Sequence, residues 1–174
     1  MSARLGDWMQ TRSGLQYWPL DPRVEDVKLT DIAHALSNLC RYNGHCNGFY
    51  SVAEHSVLVS QVVPPEHALC GLLHDATEAY CADVPRPLKR NLVGYADIEH
   101  KNWLVVAAKF GLPVDMPESV HIADNAVLLA EKQQIVKQTP HLWSVPGTAA
   151  NVQIKCLSPN ESYSLFIDRF MELI

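Results

Sequence analysis

A chain of 174 residues, 48% hydrophobic and 19% charged, is long enough to bury a core and too apolar to stay disordered. Its 14 Lys and Arg against 19 Asp and Glu leave a formal net charge of -5, which argues against a general DNA- or RNA-binding module with a basic face. A nucleotide substrate stays open, because a bound divalent metal and a few local cations can neutralise phosphates.

The first ~25 residues carry Trp8, Tyr17-Trp18-Pro19 and Asp21-Pro22-Arg23 and suit either a short hairpin or an extended arm. The aromatic cluster there reads as packing rather than as a platform for stacking bases. Thr30 is placed to cap a helix from Asp31 to about Arg41, with Ile32, Leu36, Leu39 and Cys40 along one side. Ser51-Val-Ala-Glu54 has the form of a capping box, so a helix starts there with His55 in its first turn. Pro65 opens a third helix predicted to reach Ala79, on which His74 and Glu78 share a face. Two prolines, Pro85 and Pro87, then impose an ordered loop over 82–90.

An amphipathic helix follows from about Ala96 to Phe110, with Gly111 as its stop. Pro117-Glu-Ser119 leads into a helix to about Lys137 that carries Asp124. Residues 138–157, with Pro140, Pro146 and Gly147, read as a long surface excursion. Ser158-Pro-Asn-Glu161 is a second capping box, with Pro at the first helical position, and launches the terminal helix. No repeat or linker divides the chain, so 1–174 is expected to form one domain.

Five cysteines form an odd set without a Cys-x-x-Cys pair, and Cys40, Cys70 and Cys156, among apolar neighbours, read as reduced core thiols. The N-terminal stretch lacks the pattern of a signal peptide, and no apolar run approaches the ~18 residues of a membrane span. No membrane partner and a cytoplasmic location are therefore expected.

The chemistry concentrates in three places. His74-Asp75 supplies two adjacent metal ligands, His55 lies upstream on a separate helix, and Asp124 follows downstream, with Asp115 as its nearby rival. Imidazole with carboxylate is the ligand set of divalent cations that activate water, and the spacing does not suit a zinc finger. His34, His67, His100 and His141 have no such context, while Gly44-His45-Cys46 is a weaker candidate for a second site lining the pocket.

Five ordered motifs between Asp31 and about Glu131 resemble the HD-domain phosphohydrolases, in the branch of the 5′-deoxynucleotidases and phage dATP triphosphohydrolases. They are Cys40-Arg-Tyr42, Val52-Ala-Glu-His55-Ser56, Leu73-His74-Asp75-Ala-Thr-Glu78, Ala82-Asp83-Val-Pro-Arg-Pro-Leu-Lys89 and Ala123-Asp124-Asn125. The resemblance implies an all-α HD-domain helical bundle with a short irregular N-terminal arm. It implies His55, His74, Asp75 and Asp124 as metal ligands, Glu78 as the catalytic carboxylate and Asp83 as a second acidic active-site residue. It also implies Arg41 and Lys89 as phosphate contacts and Tyr42 as the aromatic residue beside the base. Each has a plainer alternative: Glu78 as a solvated helix residue, Asp83 as a cap before Pro85, Arg41 as a helix C-terminal cation, and Lys89 as surface charge beside Arg86 and Arg90.

The expected activity is hydrolysis of dATP to deoxynucleoside and triphosphate, with a 5′-deoxynucleotidase acting on monophosphates as the alternative. Zinc, cobalt, manganese or nickel is the expected metal, with magnesium kept as an alternative; two His ligands favour the transition ions over it. A small-molecule deoxynucleotide is the expected partner, with no nucleic-acid polymer, and a homo-oligomer is expected. The rival from another class is a catalytically inactive HD module that binds nucleotide. Such a module would be expected to lack a ligand or the helper acid, and this sequence retains all of them.

Overall fold

The computed structural model describes residues 4–174; Met1–Ala3, the start of the N-terminal arm, lie outside the described residues. Helices dominate, as an all-α chain requires, and they enclose a core in which Ile32, Leu36, Val57, Leu72, Leu73, Val127 and Phe166 are essentially inaccessible. Among the described residues no helix is long and apolar enough to cross a membrane.

The N-terminal arm is not irregular. Strands β1 (Met9–Gln10) and β2 (Gln16–Tyr17) form an antiparallel hairpin with Met9 opposite Tyr17. Tyr17 anchors it: the ring is buried, stacks on Tyr80 at 3.7 Å between centroids, and donates its hydroxyl to Asn102 at 2.6 Å. The aromatic residue thus serves packing, as the sequence suggests.

Helix α1 spans Leu29–Asn38. Its start and end both differ from the sequence-based expectation of Asp31 to Arg41. The Lys28 carbonyl accepts from Asp31 and Ile32, so Thr30 sits inside the first turn instead of capping it. At the other end the backbone becomes extended, because Leu39 and Arg41 pair with Val52 and Tyr50 in a single antiparallel bridge centred on Cys40 and Ser51. Arg41 is therefore released from the helix into a short 3-10 turn, Arg41–Gly44.

Helix α2 (Val52–Val62) begins where the capping pattern places it, with Ser51 accepting the Glu54 N–H at 3.0 Å. The box is only half formed. Glu54 turns away and accepts from the backbone N–H groups of Lys155 and Leu157 at 2.7 and 2.8 Å, pinning the distant 138–157 excursion to α2.

The predicted helix over 65–79 is instead three pieces: a 3-10 turn at Pro65–His67, α3 (Ala68–Leu73) and α4 (Glu78–Cys81). Between α3 and α4 the chain tightens into i to i+3 bonds, Ala76 to Leu73 and Glu78 to Asp75. The 82–90 loop likewise holds a one-turn helix, α5 (Arg86–Lys89). Helix α6 (Tyr95–Phe110) ends at Gly111, whose φ of +67° is the left-handed cap that glycine adopts without a Cβ penalty.

Helix α7 (Glu118–Gln134) stops three residues before the expected Lys137. The Gln134 side chain is taken by the excursion, donating to the Val152 carbonyl and accepting from the Ile154 N–H. Helix α8 (Pro159–Leu173) has the complete capping box of Ser158 and Glu161. It packs on α1, α2 and α3 through Phe166 and Phe170, and Arg169 donates to the Ser60 hydroxyl and carbonyl near the end of α2.

Candidate metal centre

Helices α2, α3 and α7 converge on one point. Gly71 lets α3 approach α2 closely, since a Cβ there would meet the Ser60 backbone at 3.3 Å and Val63 at 3.1 Å. That approach brings His74, at the end of α3, beside His55 on α2, with ring centroids 5.3 Å apart. Asp124 on α7 completes the group: ligand atoms of His55, His74 and Asp124 all lie within 4.8 Å of one another. Asp75, expected as a fourth ligand, lies beside this group of three rather than in it, its Oδ2 3.2 Å from His74 Nε2 and 3.6 Å from His55 Nε2. The rival carboxylate Asp115 lines the same cleft but stands outside this group.

The tautomers follow from the hydrogen bonds. His74 Nδ1 lies 2.8 Å from the Gly71 carbonyl, which only accepts, so Nδ1 carries the proton. His55 Nδ1 lies 2.6 Å from the buried Glu131 carboxylate, which also accepts. Both Nε2 atoms are thereby left as lone-pair donors, both are buried, and neither has a hydrogen-bond partner. Yet His55 Nε2 faces Asp124 Oδ1 at 3.2 Å. Lone pairs facing carboxylate oxygens in a buried space repel unless a positive charge sits between them. The same field acts on His55 itself: burial and Arg41 disfavour its charged form, but Glu131 and Asp124 outweigh them and raise its pKa to about 9, so where no metal ion sits a proton takes that place on Nε2. Asp75 and Asp124 are held far below the usual carboxylate range despite burial, because the imidazoles draw out their charged forms. The donor set therefore fits a divalent cation, and His55, His74 and Asp124 could hold one.

Glu131 is the residue that sequence reasoning missed. Its carboxylate is fully buried and receives His55 Nδ1–H, the hydroxyls of Tyr42 and Tyr50, and the Arg41 guanidinium at 3.4 Å. Burial opposes its charge, yet Arg41 and His55 lower its pKa to about 2. A signal was present: Glu131 follows Asp124 by seven residues, two turns along the same face of α7. Its role toward His55 is that of the carboxylate that fixes a ligating imidazole's tautomer and ring orientation.

Arg41 reaches the centre from the bridge at Cys40 and Ser51. It is 3.5 Å from Asp75 and 3.4 Å from Glu131, with little of the side chain exposed. Tyr42 and Asn43, next in the turn, have φ of +58° and +50°, unfavourable for a side chain as bulky as Tyr. The Tyr42 hydroxyl donates to Glu131, which ties the side chain of this turn residue to the buried carboxylate.

The centre opens into a cleft of about 900 Å³ that Arg41, Tyr42, Glu78, Asp83 and Lys89 all line. Glu78 is buried with Oε2 unpartnered, and burial together with Asp75 and Asp83 pushes its pKa well above the carboxylate range. Burial likewise raises that of Asp83, with Arg41 opposing. Lys89 is paired with Glu99 and lies over the Tyr95 ring. Arg86, read from sequence as one of a cluster of cations, instead binds Asp124 and Asn125. His45 and Cys46 do not line the cleft; the Cys46 thiol donates to the Gly48 carbonyl at 2.9 Å. All five cysteines are free thiols, but only Cys70 is fully buried, with Cys40 and Cys156 partly exposed.

The chain is 41% identical over 169 residues to the uncharacterised protein YfdR of Escherichia coli, an alignment covering 95% of each. It is 34% identical over 142 residues to the uncharacterised protein RCAP_rcc00048 of Rhodobacter capsulatus, covering 74% of this chain and 72% of that one. The chain belongs to the family of these proteins. No protein-family model matches it.

Proposed function

We propose that the protein is a metal-dependent phosphohydrolase of deoxynucleotides with an HD-type centre, its divalent ion held by His55, His74, Asp75 and Asp124. The observation that carries this reading is the pair of buried, unpartnered Nε2 lone pairs aimed at carboxylates in a nucleotide-sized cleft. When bound, a divalent cation polarises a phosphoryl oxygen and lowers the pKa of water. Glu78 takes or orients the attacking water's proton, its Oε2 buried and free of other partners; the carboxyl that burial, Asp75 and Asp83 keep protonated in the metal-free cleft would ionise more readily with a cation beside it. Asp83, on the same cleft, keeps a second carboxyl beside it. Arg41 is the phosphate contact, exchanging part of its pairing with Asp75 for the substrate's oxygens.

Charge makes substrate binding depend on the metal. Asp75, Glu78, Asp83, Glu99, Asp115 and Asp124 line the cleft against Arg41, Arg86 and Lys89, and each of these cations already has an acidic partner. A phosphate entering that field without a divalent ion is repelled.

The lead substrate is dATP, cleaved to deoxyadenosine and triphosphate, with Lys89 as the cation for the distal phosphates. A second reading, 5′-deoxynucleotidase, is favoured by one observation: Lys89 is already neutralised by Glu99, which suits the smaller charge of a monophosphate. The deciding experiment is a panel of deoxynucleoside mono-, di- and triphosphates with the products separated by chromatography. Lys89→Ala is expected to weaken dATP hydrolysis much more than dAMP hydrolysis, and equal effects would remove the case for the triphosphate. Cleavage of dAMP alone by the unmodified enzyme settles it for the nucleotidase, and inactivity toward the whole panel with every candidate metal overturns the hydrolase reading.

A further inference from the structure

The 138–157 excursion, a surface loop by its sequence, supplies a wall of the cleft. Its second half is pinned: Ala150 donates to the Ala126 carbonyl at 2.8 Å, and Lys155 and Leu157 are held by Glu54. Its first half forms an arch that places Trp143, Ser144 and Val145 in the cleft lining. Trp143 is half-buried although the preceding Leu142 is 90% exposed, so the arch directs one large aromatic ring inward at that point. The ring meets Tyr42 at 6.1 Å between centroids, tilted by 39°, and Lys132 lies 5.2 Å from the ring centre. That spacing and tilt are looser than the 3.7 Å, nearly parallel stack of Tyr17 on Tyr80 in the core.

Two tilted aromatic rings in the cleft lining, one of them next to Arg41, form an apolar wall beside the proposed phosphate contact. A nucleotide has that same sequence of parts, a phosphate and then a flat π-face, and aromatic side chains bind bases by stacking without regard to base identity. We propose that Trp143 is a substrate-binding residue that stacks on the nucleobase, forming with Tyr42 a base subsite on the arch. This rests on the hydrolase reading for its substrate class. Ser144, exposed beside it, offers the only hydroxyl in the arch's part of the cleft lining, which suits the polar edge of a stacked base.

The test compares ligands with and without a base, using the full chain loaded with cobalt or manganese. Steady-state kinetics are measured for dAMP, dATP and deoxyribose 5-phosphate, and calorimetry measures the affinity for deoxyadenosine, which carries no phosphate. Trp143→Ala is expected to raise KM for both nucleotides and the deoxyadenosine dissociation constant by about 10-fold or more. It should leave kcat/KM for deoxyribose 5-phosphate, and the melting midpoint, close to those of the unmodified chain. Trp143→Phe, which keeps a flat ring, should restore most of the affinity. Equal losses on the base-free ester, no loss on any ligand, or no deoxyadenosine binding by the unmodified chain overturns the subsite. Deoxyadenosine binding that depends on Trp143 in a chain that releases no phosphate overturns the hydrolase reading alone.

Discussion

Each imidazole of the centre has one nitrogen committed to an acceptor, and that commitment decides what the other nitrogen can do. Glu131 and the Gly71 carbonyl take the Nδ1 protons, so a cation is the partner that satisfies both Nε2 atoms at once. Removing a ligand and removing its support should therefore differ in degree. His74→Ala is expected to abolish metal binding and turnover together, whereas Glu131→Gln should weaken metal affinity by about 10- to 100-fold, as second-sphere carboxylates do. Calorimetric titration of metal-depleted protein checks both, and an unchanged affinity in Glu131→Gln would show that the His55 ring is held by packing alone. Glu78 behaves differently again. Glu78→Gln should bind metal normally while turnover falls roughly 100-fold or more, the scale expected for a lost general acid/base. A variant that loses its metal but turns over normally once reloaded would make Glu78 a ligand or a structural group.

Elements place these residues through a small number of hydrogen bonds. Ser51 caps α2 one turn before His55, so Ser51→Ala should cost about 1 kcal/mol of stability, read in denaturant unfolding. Glu54 departs from the expected box to hold the Lys155 and Leu157 N–H groups, and Glu54→Ala leaves both without that acceptor. A cost of about 1–3 kcal/mol is expected, with earlier proteolysis near 138–157; cleavage no faster than in the unmodified chain would show that the excursion is anchored elsewhere. The helix starts at Ser51 and Ser158 and the stop at Gly111 were legible, because each is encoded within four residues of chain. The interruption between α3 and α4 was not, since no Pro falls near His74 and Gly71 lies inside α3 itself; the break shows only in space, where the His74 side chain bonds back to the Gly71 carbonyl. The exit of Arg41 from α1 was hidden for a different reason: it depends on pairing with residues nine to thirteen positions away. Motif spacing led to His55, His74, Asp75 and Asp124, whereas Glu131 went unassigned because its function lies in four partners from elsewhere in the fold.

Over the whole molecule, a divalent ion held by His55, His74 and Asp124 would tie α2, α3 and α7 together at one point, so its binding would also be folding free energy. Metal at about 100 times its dissociation constant adds about 2.7 kcal/mol, and a chain of this size gains about 2–4 °C in melting midpoint per kcal/mol. A rise of roughly 5–10 °C is expected with cobalt or manganese, and it should vanish in His74→Ala. The central claim, that this cleft hydrolyses phosphate only with a divalent ion in place, is tested most directly by following phosphate or triphosphate release from dAMP and dATP. The protein is first depleted of metal, with depletion verified by elemental analysis, and then reloaded one metal at a time. The account predicts no release from the depleted protein and recovery on reloading; release that persists in the verified metal-free chain would contradict it.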